Sequence, residues 1–171
     1  SLEYLIDNKV VTTVGGNFNI KTVIGFNNEQ QEIQVRKKGS GTIVQTKVIP
    51  ASPFDQTITL YYDGVKAYDK TILLTINGYA ISGELEFLAG ENVLHTGMGS
   101  IRKENIQVLI DENSTRDIQV RKKGETAVLF SKSITSTQER QTLNFFFDGA
   151  NIVDNVQLKP PANPANMLIS A

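Results

Sequence analysis

One seven-residue segment occurs twice in this chain, and the repetition constrains the fold more than any other feature. The sequence IQVRKKG spans residues 33–39 and returns 85 residues later at 118–124. The similarity continues to an Asp-Gly pair in each copy and gives 13 identities in 32 ungapped positions. Self-similarity of this length is typical of a duplicated structural unit. The chain is therefore predicted to contain two copies of one unit, residues 1–83 and 84–171.

The two copies also begin alike, because residues 2–5 (LEYL) match residues 85–88 (LEFL), and they join at Ser82 and Gly83. In one place they differ in length, where the proline-containing stretch 159–166 stands opposite residues 75–79. Insertions usually lie in loops, and proline cannot donate to a sheet ladder. The stretch 159–166 is therefore expected to be a loop or a blunted edge, and residues 75–79, opposite the insertion, are expected to be a loop.

Apolar residues alternate with polar ones over most of the chain, as in half-buried β-strands. No segment keeps the apolar period of a helix over three turns, so almost no helix is expected. The positions predicted to face inward in the alternating segments are Phe18, Ile20, Thr22, Ile24, Phe26, Ile33, Val35, Ile58, Leu60, Tyr62, Ile106, Val108, Ile110, Leu143, Phe145 and Phe147.

The density of strands and turns predicts the fold class. About seven short strands in each copy, separated by turns, are the pattern of an antiparallel sandwich. The predicted fold is all-β, with two tandem, similar β-sandwich repeats of immunoglobulin-like proportions. A small closed barrel in each copy is the alternative.

The chain resembles the tandem immunoglobulin-like modules of secreted proteins and surface lipoproteins of gut Bacteroides-type bacteria. The resemblance lies in the duplicated small β-unit, the absence of cysteine and the tyrosine- and asparagine-rich strands. It implies an extracytoplasmic protein, at the bacterial cell surface or in the periplasm, with a binding or structural role. No leader is visible in this chain, so membrane attachment is expected only through a leader or lipid anchor removed from it.

Charge and composition disfavour several classes of function. Seventeen basic and eighteen acidic side chains leave a net charge of -1, so no overall field attracts nucleic acid or an anionic membrane. A glycan or another surface protein is the expected partner. No phosphate-binding motif is present, and the absence of cysteine excludes thiolate metal sites. We expect no cofactor and no metal.

Catalytic constellations are also scarce, which favours a protein that is not an enzyme. His95 is the single histidine, and no nucleophile elbow accompanies it. Asp63 and Asp148 recur in both copies and could form a carboxylate pair between the repeats. That alternative would make the protein a carbohydrate-active enzyme component or a small hydrolase. Because glycine follows each aspartate, a role in turn formation is the competing interpretation.

A repeated basic ribbon is the first candidate binding feature. Arg36 and Lys38 should share the outward face of one strand, as should Arg121 and Lys123 in the second copy. Guanidinium and ammonium groups on one face could hold an acidic glycan, a lipid phosphate or a carboxylate. The alternative is that these charges keep an exposed strand from pairing with other chains.

Two outward aromatic residues form the second candidate. If Leu60 and Tyr62 face the core, Tyr61 points away from it, and Phe146 does so in the second copy. An outward ring could stack on a sugar or fill an interface, or it could be buried between the two repeats. The sequence as a whole predicts a non-catalytic binding or structural protein that serves adhesion, glycan binding or surface assembly.

Overall fold

The computed structural model describes residues 1–15, 20–24 and 29–154, and it contains only β-strands as regular structure. The prediction of an all-β chain is confirmed for these residues, none of which forms a helix able to span a membrane. The strands are β1 (Leu2–Ile6), β2 (Lys9–Val14), β3 (Ile20–Ile24), β4 (Gln31–Lys37), β5 (Ile43–Ile49), β6 (Gln56–Tyr62), β7 (Ala67–Tyr68), β8 (Lys70–Ala89), β9 (Asn92–Ile110), β10 (Thr115–Lys122), β11 (Val128–Thr135), β12 (Arg140–Phe147) and β13 (Ile152–Asp154).

The first copy contributes two sheets. One has the strand order β2-β1-β4-β5 and is antiparallel throughout; the other has the order β3-β6-β7. Asp7 and Asn8 close the β1–β2 hairpin with positive φ angles of 50° and 60°, which these residue types tolerate better than most. Buried side chains of β1, β4 and β5 form one apolar cluster with those of β6 and β7.

Strands β8 and β9 form a long hairpin whose pairing register shifts at three places, one of them between Ala80 and Leu85. Beyond Ala80, the end of β8 pairs with β10, and β10 pairs with β11. The order here, from β9 through β8 and β10 to β11, repeats the order β2-β1-β4-β5. The two copies therefore build one of their sheets in the same way.

The first half of β8 is the main departure from the predicted organisation. Residues 73–80 pair in parallel with β12 on one side, and residues 70–80 pair antiparallel with β9 on the other. A strand at the end of the first repeat in sequence thus lies inside a sheet whose other strands come from the second. The expectation of purely antiparallel sheets was wrong at β8–β12, because no hairpin constrains the direction of two strands so far apart in the chain.

Residues 75–79, expected to be a loop, are part of β8. That expectation was wrong, because the alternation of the strand continues through them: Ile72, Leu74, Ile76 and Ala80 are at most 2 % exposed. Gly78 fits this close-packed position because a Cβ there would come within 2.2 Å of the Phe145 carbonyl oxygen. The boundary after residue 83 stays a prediction.

Most positions predicted to face inward do so. In the described segments Ile33, Val35, Ile58, Leu60, Ile106, Val108, Ile110, Leu143, Phe145 and Phe147 are buried, and Tyr62 is half-buried against the same core. The positions Phe18 and Phe26, the side chains of residues 20–24 and the stretch 159–166 lie outside what the structure describes.

Candidate functional site

The basic ribbon carries a matching row of carboxylates. Strand register places Glu3 opposite Arg36 and Glu86 opposite Arg121. In each pair the guanidinium Nε lies 2.8 Å from a carboxylate oxygen, and in each pair the carboxylate is the more buried partner. The two copies therefore conserve a cross-strand ion pair as well as a basic sequence.

The two lysines of the ribbon differ from each other. Lys123 donates to Glu84 over 2.7 Å, and this pairing raises the pKa of Lys123. Lys38 is exposed, and its backbone N–H donates to the Ser1 carbonyl oxygen. With three of the four predicted cations paired to carboxylates, the ribbon presents little net charge to an anion.

The predicted outward aromatics lie on the outer faces of β6 and β12. Tyr61 and Phe146 are both half-buried. Tyr61 stands opposite Tyr68 on β7, and Phe146 stands between Val153 on β13 and Tyr79 on β8. The structure thus gives each ring apolar or aromatic neighbours within its own sheet.

Tyr79 is a surface aromatic that the sequence reasoning missed, because residues 75–79 were expected to form a loop. It is 49 % exposed and lies in register with Phe146. One step along the same face, the Asn77 and Asn144 side chains hydrogen-bond each other at 3.2 Å. The apolar alternation of Ile72, Leu74 and Ile76 was the signal that could have placed Tyr79 on a strand.

A polar joint lies where the turn after β6 meets β9 and β10. Asp63 Oδ1 accepts hydrogen bonds from the backbone N–H groups of Val65 (2.9 Å) and Lys66 (2.8 Å). Its other oxygen, Oδ2, lies 3.3 Å from Asn92 Nδ2 and 3.7 Å from Arg116 Nη2. One carboxylate therefore shapes a turn of the first repeat and contacts two residues of the second.

Arg116 is fixed on several sides within this joint. Its guanidinium donates to the carbonyl oxygens of Ala89 and Leu109 and lies over the Tyr68 ring, 4.6 Å from the ring centre. Its side chain is only 14 % exposed, and that of Asp63 only 9 %. Because solvent has little access to the pair of Asp63 and Arg116, the pair is a structural contact and is not open to an exchangeable ligand.

The pKa values in the joint follow from these contacts. Burial pushes the pKa of Asp63 upward, but the N–H groups of Lys66 and Val65, the Tyr68 hydroxyl and Arg116 together hold it below its ordinary value. Burial raises the pKa of Tyr68, and the Asp63 charge adds to that rise. At neutral pH Asp63 is therefore ionised and Tyr68 is protonated, whereas a general acid carboxyl needs a raised pKa.

Further polar contacts extend the joint towards β5. Asp111 accepts from Lys66 at 2.5 Å and from the Gln45 side chain at 3.0 Å. Asp69 accepts from Lys47 at 3.0 Å and from the backbone N–H of Glu112 at 2.7 Å. Each of these aspartates thus joins residues on both sides of the joint.

Asp148 forms the equivalent turn in the second copy. Its Oδ1 accepts from the N–H groups of Ala150 and Asn151 at 2.8 and 2.6 Å, and these bonds lower its pKa. Gly64 and Gly149, the next residues, have φ angles of 100° and 97°. The prediction that both aspartates form turns is confirmed.

Each of three grooves beside the joint is small. A cavity of about 240 Å³ is lined by Asp63, Ala89, Asn92, Leu94, Gln107, Val108, Leu109 and Arg116. Ligand pockets usually occupy about 300–1,000 Å³. The only carboxylate in this lining is Asp63, and an adjoining groove of the same volume has Glu91 beside Asp63. Glycoside hydrolysis uses two carboxylates, one of them with a raised pKa, whereas the pKa of Asp63 is lowered.

His95 lies elsewhere, on β9, with its ring centre 6.3 Å from that of Phe87. Burial lowers its pKa, with a smaller effect from Lys103.

Within the described part of the chain, no three histidine, aspartate or glutamate side chains come together in a group that could hold a metal ion. Comparison with protein-family models, curated proteins and solved structures finds no match to this chain.

Proposed function

We propose that this protein is a non-catalytic, extracytoplasmic protein of two tandem β-sandwich modules of immunoglobulin-like proportions, which acts as a rigid spacer in adhesion or surface assembly. The observation that carries the proposal is the connection at Asp69. Strand β7 ends at Tyr68 and β8 begins at Lys70, so one residue connects the first set of sheets to the strand held in the second.

The Asp69 side chain reinforces this connection. It accepts hydrogen bonds from Lys47 on β5 and from the backbone N–H of Glu112, just before β10. Asp63 and Asp111 bridge the same joint. A short connection with several ordered polar contacts restricts relative motion, whereas modules on flexible linkers move freely. Rigidity at a joint suits a protein that holds other surfaces at a fixed distance.

Sheet order supports the two-module part of the proposal. The order β2-β1-β4-β5 recurs at the end of β8 with β9, β10 and β11. Of the two apolar clusters, one is built from the first copy alone, and the other combines the second copy with the first half of β8. The extracytoplasmic location draws on the sequence resemblance alone. The proposal that the protein is not catalytic draws on the carboxylates of the joint. These carboxylates already accept hydrogen bonds from the N–H groups of turns and from lysines, or pair with the arginine.

The spacer proposal predicts a narrow distance distribution between the modules. Spin labels at Val48→Cys and Val128→Cys would report it, because both positions are exposed and the chain has no other cysteine. We expect a single narrow peak by double electron–electron resonance. Insertion of a glycine-serine segment after Asp69 should broaden it. A broad distribution in the chain without the insertion would contradict the proposal.

A second candidate function is glycan binding on the outer face of β8 and β12. The exposed Tyr79 ring beside Phe146, with Asn77 and Asn144 one step along, combines stacking surface with amide hydrogen-bonding groups. A glycan array with the full chain would test it. Binding that is lost in Tyr79→Ala and kept in Tyr61→Ala would assign the site to this face, and an array without hits would remove the candidate.

A further inference from the structure

The second sheets of the two repeats differ by one strand. The repeat spacing makes β12 the counterpart of β6 and β13 the counterpart of β7. In the second repeat the order is β9-β8-β12-β13, whereas in the first repeat β3 pairs directly with β6. Strand β3 precedes β4 in the chain as β9 precedes β10. The first half of β8 therefore has no counterpart among the described strands of the first repeat.

That additional strand is an interior strand of its sheet and not an edge strand. It forms ladders on both edges, antiparallel with β9 and parallel with β12. It also supplies Ile72, Leu74 and Ile76, which are all at most 1 % exposed, to the core of the second repeat. In sequence the strand precedes the second repeat, so the repeat unit is completed by a segment from outside itself.

We propose that the first repeat accepts an equivalent strand, inserted between β3 and β6 and parallel to β6, from another repeat of the same type. This inference rests on the proposed two-module organisation. Insertion would exchange the single β3–β6 ladder for two ladders, as β8 has with β9 and β12, and main-chain ladders supply affinity in strand-addition complexes. The sequence of the donor would resemble residues 70–82 of this chain.

The chemistry of the donor follows from the strand already in place. Aliphatic side chains must alternate, as at Ile72, Leu74 and Ile76, so that one face completes the core. A small residue is needed where the strand comes closest to its neighbour, as Gly78 does at Phe145. In the first repeat the counterpart of Phe145 is Leu60, which is also buried. The same type of strand therefore fits the same type of position.

A synthetic peptide with the sequence of residues 70–82 and a photoreactive group in place of Asn77 would test the proposal on the full-length chain. We expect saturable binding of one peptide per chain, with cross-links to β6 or β3. The matched control is the same peptide with Leu74→Asp, which places a charge at an inward position and should abolish binding. Absence of binding by the unaltered peptide would overturn the proposal, as would cross-links confined to β12, which would mean that the peptide replaces β8.

A disulfide across the two strands gives a second, independent measurement. Val23 and Thr57 are register partners, and directly opposite positions lie close enough for a disulfide. In Val23→Cys/Thr57→Cys we expect peptide binding in the reduced chain and its loss in the oxidised chain. Equal binding in both states would contradict insertion between β3 and β6. The spin-label distance between the modules does not depend on this result, so failure of either proposal would be distinguished from failure of the other.

Discussion

At the scale of single residues, Asp63 and Asp148 form the same turn in two environments. Only Asp63 also contacts Arg116 and Asn92. Asp63→Ala removes the turn acceptor and leaves a shielded guanidinium without its carboxylate, so we expect a loss of about 1–3 kcal/mol in the free energy of unfolding. Asp148→Ala is the matched control and should cost less, because Asp148 is exposed. Urea unfolding of both variants would measure the difference, and equal losses would show that the joint adds nothing to the turn.

At the scale of elements, β8 decides where the second folding unit begins. A fragment of residues 69–171 contains the strand between β9 and β12, whereas a fragment of residues 84–171 lacks it. We expect the longer fragment to melt cooperatively and the shorter one to be unfolded or far less stable, because a central strand with its buried side chains is missing. Circular dichroism melts would compare them.

The matched control for this comparison is Ile76→Asp in residues 69–171, which keeps the length of the fragment and places a charge in the core. It should behave like the shorter fragment. If residues 84–171 were as stable as residues 69–171, the folding unit would begin at the boundary that the repeat in the sequence predicts.

At the scale of the whole molecule, two apolar clusters predict two unfolding transitions. The first repeat lacks a counterpart of the first half of β8 among its described strands, so we expect it to unfold first. Ile58→Ala and Leu143→Ala are equivalent substitutions at buried positions, and each should cost about 2–5 kcal/mol. Ile58→Ala should lower the first transition and Leu143→Ala the second in calorimetry. A single transition shifted by both would indicate one cooperative unit.

The sequence by itself determined the all-β class, the strand positions that face inward and the turns at Asp-Gly. Alternation identified Ile33 and Val35 as buried because side chains on a strand point to opposite faces in turn. Asp63 and Asp148 were recognised as turn residues because a carboxylate beside glycine satisfies nearby N–H groups whatever the rest of the fold does. Both features depend on local chemistry, which is fully present in a short segment.

Only the tertiary structure decided which strands are neighbours and which charges meet. Alternation in β8 tells which side chains are buried but not that β12 lies beside it in parallel, since any edge of suitable length can accept the same pattern. The pairing of Arg36 with Glu3 was likewise hidden, because the residues are 33 positions apart in the chain and meet through register alone. Which strands become neighbours depends on competition between distant segments for the same hydrogen bonds. A local sequence pattern does not show which segment forms them.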